Sequence, residues 1–168
     1  NVFGTDMIGF GKSAQKLEAP FFDYDLWLQQ MQAVLDSIPA EKVGLVGHSI
    51  SATFAIRLAS KNNKVDKILL TCPMGTDIKP NSDLETLWTY PTNRESLVRS
   101  LKVLINNHDL ITDDLIQSRL DVLEMPGYRE YFEKVFYGPK SELIRPTILS
   151  EKELGSIKCP VTIIHGLR

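Results

Sequence analysis

The sequence predicts an α/β protein with a mostly parallel sheet and a helical segment inserted between two of its strands. Three observations predict it. Apolar runs of strand length recur at residues 2–5, 43–46, 65–71 and 161–164. Helix-patterned stretches separate the first three, and strand alternating with helix is the grammar of a parallel sheet. The alternation stops after Pro73, and residues 77–157 carry helical patterns and helix-start signals with no strand signal.

The elements follow in order. Residues 2–5 read as a short strand ending at Asp6. Met7 to Ser13 is a Gly-rich loop whose plainest reading is an ordinary turn. Residues 23–37 read as a helix, because Trp27, Leu28, Met31, Val34 and Leu35 mark one face at helical spacing. Pro39 ends that pattern. Residues 43–46 are the second strand, followed by a sharp corner and a helix to Ser60. Residues 65–71 read as a strand buried on both faces. In the inserted segment, Ser82-Asp83-Leu84-Glu85 and Thr92-Asn93-Arg94-Glu95 fit capping boxes. Thr112 caps a third helix, with Asp113 and Asp114 in its first turn. Pro126-Gly127 opens a fourth, through Tyr128, Tyr131, Phe132, Val135 and Phe136. Residues 161–164 return as a fourth parallel strand. The expected division is therefore a core part over 1–76, a helical cap over 77–157 and a returning core strand over 158–168.

Composition bounds the function. The 168 residues are 43% hydrophobic and 24% charged with net charge −2, the balance of a globular domain with a sizeable core. The basic residues are scattered, which argues against a nucleic-acid surface. No apolar run approaches the ~20 residues that span a membrane. Cys72 and Cys159 lie at opposite ends of two strands, roughly 15–20 Å apart, beyond the ~7 Å a disulfide allows. Two free thiols and a reducing, cytoplasmic setting are expected. Neither cysteine has a metal-ligand partner at useful spacing, and no metal or cofactor is expected. The expected partner is a small-molecule substrate, not nucleic acid or membrane, with oligomeric state left open.

The corner after the second strand carries the chemistry. Gly47-His48-Ser49-Ile50-Ser51 stands between an apolar run and a helical stretch, the context of a nucleophile elbow. Small residues are needed two positions either side of Ser49. Gly47 meets that need, and Ser51 stands where Gly is usual. The turn lifts the Ser49 hydroxyl clear of the backbone and aims the Ile50 N–H at the same point, where it could hold an oxyanion. A serine hydroxyl needs a histidine base held by an acid. His48 is adjacent to Ser49 and reads as packing or site lining. His108 lies in the inserted segment. His165 follows the last strand, too early in chain order to be the base of such an elbow. Asp77 is a fallback acid. The chain stops in the loop that would carry the acid, and a fragment cut at both ends is expected.

These residues resemble the α/β-hydrolase family along essentially the whole chain. Asp6 to Ser13 resembles the loop after the family's fourth strand, Gly47 to Ser51 its elbow after the fifth, and Ile157-Lys158-Cys159-Pro160-Val161 through His165-Gly166 the approach to its acid. A partial α/β-hydrolase fold is thus implied, with the family's third strand and second oxyanion donor expected before Asn1, and the acid and histidine after Arg168. Without them, strand edges stay unpaired, and these residues alone are expected to show no hydrolase activity. Within the insertion, residues 84–90, 108–119 and 125–130 resemble the cap of the meta-cleavage product hydrolases. Those enzymes hydrolyse a carbon–carbon bond in 2-hydroxy-6-oxo-dienoates from aromatic ring opening. The resemblance implies that Ser49 is the nucleophile and Arg119 the substrate-carboxylate ligand, a job suited to a planar bidentate donor. Two departures stand out: His48 where that subfamily usually has Asn, and Ser51 where it has Gly. Two other readings stay open, a carboxylesterase acting on small esters and a non-catalytic binder of a small ligand.

Overall fold

The computed structural model describes residues 1–166. Leu167 and Arg168, the end of the expected returning segment, lie outside the described residues. The chain divides into two compact units, one of Asn1–Asp23 with Lys79–Leu143, the other of Tyr24–Ile78 with the chain from Ile144 onward.

The second unit holds the sheet. Helix α1 (Tyr24–Ser37) precedes strand β1 (Val43–His48), helix α2 (Ile50–Lys61) and strand β2 (Val65–Thr71); strand β3 (Val161–Ile164) comes last. The three strands are parallel in the order β1-β2-β3, with His48 beside Thr71 and Thr71 beside Ile164. The expected strand over 2–5 does not form. Residues 1–7 are irregular and Val2 is 99% exposed; among the described residues no strand pairs with this run, and four residues cannot hold a strand without a partner. The core joins Leu35 of α1, Ala52, Ala55, Ile56 and Leu58 of α2, and Val65, Ile68 and Leu70 of β2. Trp27 and Leu35 are buried as their periodicity predicts. Strand β2 is less enclosed than expected: Asp66 and Lys67 are exposed.

The first unit is helical. Helices α3 (Ser82–Leu87), α4 (Arg94–Leu104), α5 (Asp113–Leu123) and α6 (Tyr128–Val135) follow one another, then α7 (Lys140–Ile144) at its end. Helix α8 (Glu151–Gly155) belongs to the sheet unit. Two caps shift by a residue. Asn81, not Ser82, caps α3 through the Leu84 N–H, and Asn93, not Thr92, forms a reciprocal box with Ser96 on α4. Asn accepts from the N3 N–H at the N-cap as well as Ser and better than Thr, so adjacent candidates compete. Thr112 caps α5 as expected.

The boundaries differ from 1–76, 77–157 and 158–168 for a visible reason. Phe10, Phe21 and Phe22 pack on Phe136, Tyr131 and Trp88, which draws residues 1–23 to the helical unit. Gly9 has φ 97°, and a Cβ there would lie 2.4 Å from the Tyr131 ring. At the other end, Arg57 of α2 donates to the Pro146 and Ile148 carbonyls and pairs with Glu153, which holds residues 144–157 to the sheet unit.

Candidate active site

Ser49 is the single residue between β1 and α2. Its φ is 52° and ψ −119°, a conformation L-residues rarely adopt, at a cost of ~1–3 kcal/mol. Three backbone bonds hold it there. Its N–H donates to the Thr71 carbonyl at 3.0 Å, and its carbonyl accepts from Ala52 and Met74 at 3.1 Å each. The loop after β2 therefore grips the corner from one side. That loop is itself bent, with Cys72 at φ 43°.

Glycine is obligatory two residues earlier. A Cβ at Gly47 would lie 2.7 Å from Ala52 Cα and 2.8 Å from the Ser51 carbonyl oxygen, backbone atoms that cannot step aside. Two residues later, glycine is not needed. Ser51 turns back on the strand, its hydroxyl accepting from the His48 N–H and donating to the His48 carbonyl, both at 2.8 Å. The departure at Ser51 therefore leaves the corner intact.

The Ser49 side chain makes no capping hydrogen bond and is half-buried. Ile50 opens α2, so its N–H lies in the turn that a helix leaves without internal acceptors. Among the described residues the Ser49 hydroxyl thus has no hydrogen-bond partner, and it stands beside an amide donor of the first helical turn. His48 is exposed, and its Nδ1 lies 2.9 Å from the Thr71 hydroxyl. That bond to Thr71 was not visible in the sequence, because only strand register makes the two neighbours.

The other candidates lie elsewhere. His165 follows β3, two strand spacings or ~10 Å along the rim from Ser49, its Nδ1 2.8 Å from the Gly166 carbonyl. His108 sits in a short exposed turn of the helical unit. Asp77 is exposed in the coil after β2. Among the described residues no hydrogen bond joins Ser49 to a histidine. Arg119 is exposed on α5 of the helical unit. Among the described residues its guanidinium makes no hydrogen bond or ion pair, whereas Arg57, Arg94, Arg99 and Arg129 each hold a carboxylate. Burial pushes the Tyr128 phenol up in pKa, Tyr90 adds to this, and the Arg119 charge opposes it.

Behind the corner lies a network that sequence reasoning missed. Tyr24 packs its ring 4.8 Å from that of Phe54 and hydrogen-bonds Thr53 at 2.5 Å. Arg57 lies 4.8 Å over the Tyr24 ring. Burial raises the Tyr24 pKa against the opposing effects of Thr53 and Arg57, so the phenol stays protonated at neutral pH. Among the described residues no group of three or more His, Cys, Asp or Glu side chains is placed to hold a metal ion. No described helix is long and apolar enough to cross a membrane.

Comparison with known proteins accords with this geometry. The alpha/beta hydrolase fold family matches residues 1–154. The 2-hydroxymuconate semialdehyde hydrolase of Pseudomonas sp. (strain CF600) is 26% identical over 166 residues, covering 98% of this chain and 58% of its own length. A 2-hydroxy-6-oxononadienedioate/2-hydroxy-6-oxononatrienedioate hydrolase of Cupriavidus pinatubonensis is 30% identical, over 96% of this chain and 57% of its own length. The solved meta-cleavage product hydrolase CumD of Pseudomonas fluorescens IP01 superposes with a TM-score of 0.86 at 26% identity, covering 96% of this chain and 59% of that one. The chain thus spans less than two thirds of the relatives it matches.

Proposed function

The chain belongs to the alpha/beta hydrolase fold family, and from that premise we propose that Ser49 is the nucleophile of a hydrolase that splits a carbon–carbon bond in a ring-fission product of the 2-hydroxy-6-oxo-dienoate type. One observation carries the reading: Ser49 is held at φ 52° on a strand-to-helix corner, its side chain makes no capping hydrogen bond, and the Ile50 N–H opens α2 beside it. The names of the relatives, hydrolases of such dienoates, support the substrate class.

The Ser49 oxygen attacks the ketone carbon, and the Ile50 N–H receives the oxyanion. The carbon–carbon bond to that carbon then breaks, the departing dienoate carbon takes up the proton removed from Ser49, and water hydrolyses the acyl group left on Ser49. The hydroxyl requires a histidine base and its acid, which we assign to the full-length protein outside these residues. Arg119 would hold the substrate carboxylate. Among the described residues it holds no carboxylate, which supports this, because a guanidinium already paired would have to break that pair first. His48, exposed and braced by Thr71, would line the site.

Two variants of the full-length protein test the reading. Ser49→Ala should lower kcat by about 10⁴-fold or more. Arg119→Ala should raise KM for a dienoate strongly and leave a short-chain ester nearly unaffected. Equal effects on both substrates would remove the role of Arg119. Faster turnover of the ester than of the dienoate would favour a carboxylesterase, and ligand binding without turnover a non-catalytic relative.

A further inference from the structure

Strain at Ser49 has to be restrained from both sides. The bonds from Thr71, Ala52 and Met74 hold the two planar peptide units that meet at Ser49, and side-chain hydroxyls add bonds to the residues on either side. Ser49 turns its N–H toward β2, so the main-chain groups of His48 face away from β2. The single Ser51 hydroxyl meets both of those groups, accepting from the His48 N–H and donating to the His48 carbonyl.

The helix side has a matching device. The Thr53 hydroxyl donates to the Ile50 carbonyl at 2.7 Å. Its one proton is thereby committed, so Tyr24 is the donor in the 2.5 Å bond between them. Thr53 is fully buried and Tyr24 is 3% exposed, so no water replaces either partner. Tyr24 in turn is wedged between Phe54 and Arg57. Donors in series strengthen one another in such a dry setting.

We propose that Ser51 and Thr53 are positioning residues for the nucleophile: their hydroxyls clamp His48 and Ile50, the two residues that flank Ser49, and so fix both the Ser49 hydroxyl and the Ile50 oxyanion donor. The inference rests on Ser49 being the nucleophile. It also reverses an expectation. Ser51 stands where glycine is usual, so restoring glycine would ordinarily be neutral or helpful. Here it removes two hydrogen bonds from a strained corner and slackens it.

The test uses the full-length protein and two readouts, the second-order rate constant for labelling Ser49 with a fluorophosphonate, and kcat and KM per titrated active site. Counting sites separates a slackened corner from a partly unfolded sample, which lowers the number of sites but not the rate constant. Ser51→Gly and Ser51→Ala should each lower kcat and the labelling rate about tenfold, with KM within about twofold. Thr53→Val should do the same, and Thr53→Ser, which keeps the hydroxyl, should restore the rate. If Thr53→Val fails to fold, the two Ser51 variants decide alone, since that hydroxyl lies in an exposed bond. Unchanged rate constants in Ser51→Gly, with Ser49→Ala inactive, would overturn the clamp and leave the nucleophile standing. Turnover surviving in Ser49→Ala would overturn both.

Discussion

In the sheet unit one cation does several jobs. Arg57 pairs with Glu153, donates to the Pro146 and Ile148 carbonyls and covers the Tyr24 ring. In the helical unit Arg99 and Arg129 each hold a carboxylate one helical turn away, and Arg94 pairs with Asp113. Exposure decides what these pairs contribute. The Arg57 and Glu153 side chains are 14% and 24% exposed, against 60% and 84% for Arg99 and Glu95. Water competes for the second pair and hardly for the first. The apolar packing differs in the same sense. Aliphatic side chains of α1, α2 and β2 make one core in the sheet unit. The helical unit relies on a smaller core of Leu97, Leu101 and Ile116 and on rings in series, Phe22, Trp88, Phe136 and Phe132. Stability in the sheet unit is therefore expected to depend strongly on a few buried contacts behind the corner, and in the helical unit to be spread over weaker ones.

The sharpest break of that comparison is Gly47→Ala. The added Cβ meets backbone of α2 at 2.7 Å, so the variant should lose about 3 kcal/mol or more, read as a shift in chemical denaturation. A loss under about 1 kcal/mol would mean that the corner yields and is not concentrated.

Arg57→Ala comes next. It strips a charged partner from Glu153 and the donors from two carbonyls, and about 2–3 kcal/mol should be lost. A pH scan sharpens this. Burial would raise the Glu153 pKa, but hydrogen bonds from the Ser150 N–H and hydroxyl and from Arg57 outweigh it and leave the carboxyl below its usual value. A lowered folded-state pKa adds stability above the unfolded value of about 4.3, and that contribution is lost as pH falls through the folded value. The Tm of the unaltered protein should therefore drop below pH ~4 more steeply than that of Glu153→Gln. Parallel curves would show that Glu153 carries no such contribution.

The smallest effects belong to the helical unit. Asn93→Ala removes one capping box and should cost about 1 kcal/mol. Arg99→Ala breaks an exposed pair and should cost under about 0.5 kcal/mol. Losses there as large as that of Arg57→Ala would erase the distinction between the units.

Legibility followed the range of the interactions. The runs 65–71 and 161–164 match β2 and β3 to the residue, because period and flanking breakers lie within a few positions. Thr112 was read as a cap for the same reason, and Gly47 as an obligatory small residue. The strand expected at 2–5 failed because pairing is not a local property. Asn81 and Asn93 displaced Ser82 and Thr92 because neighbouring polar residues compete for the same helix donors, and a pattern cannot rank them. Ser51 looked like a flaw in the corner, since its type was visible and its hydrogen bonds were not.

By itself the sequence determined the succession of β1, α2, β2 and β3, the strand–serine–helix corner and the resemblance that names its chemistry. Each is written in spacing and residue type over a short window, and local backbone sterics act over that same range. The tertiary structure alone decided that residues 1–23 pack with the helical segment, that Thr71 braces His48, and that Tyr24, Thr53 and Arg57 stand behind Ser49. Those contacts join residues distant in the chain, and their energies exist only once register and packing have brought the partners within hydrogen-bond reach.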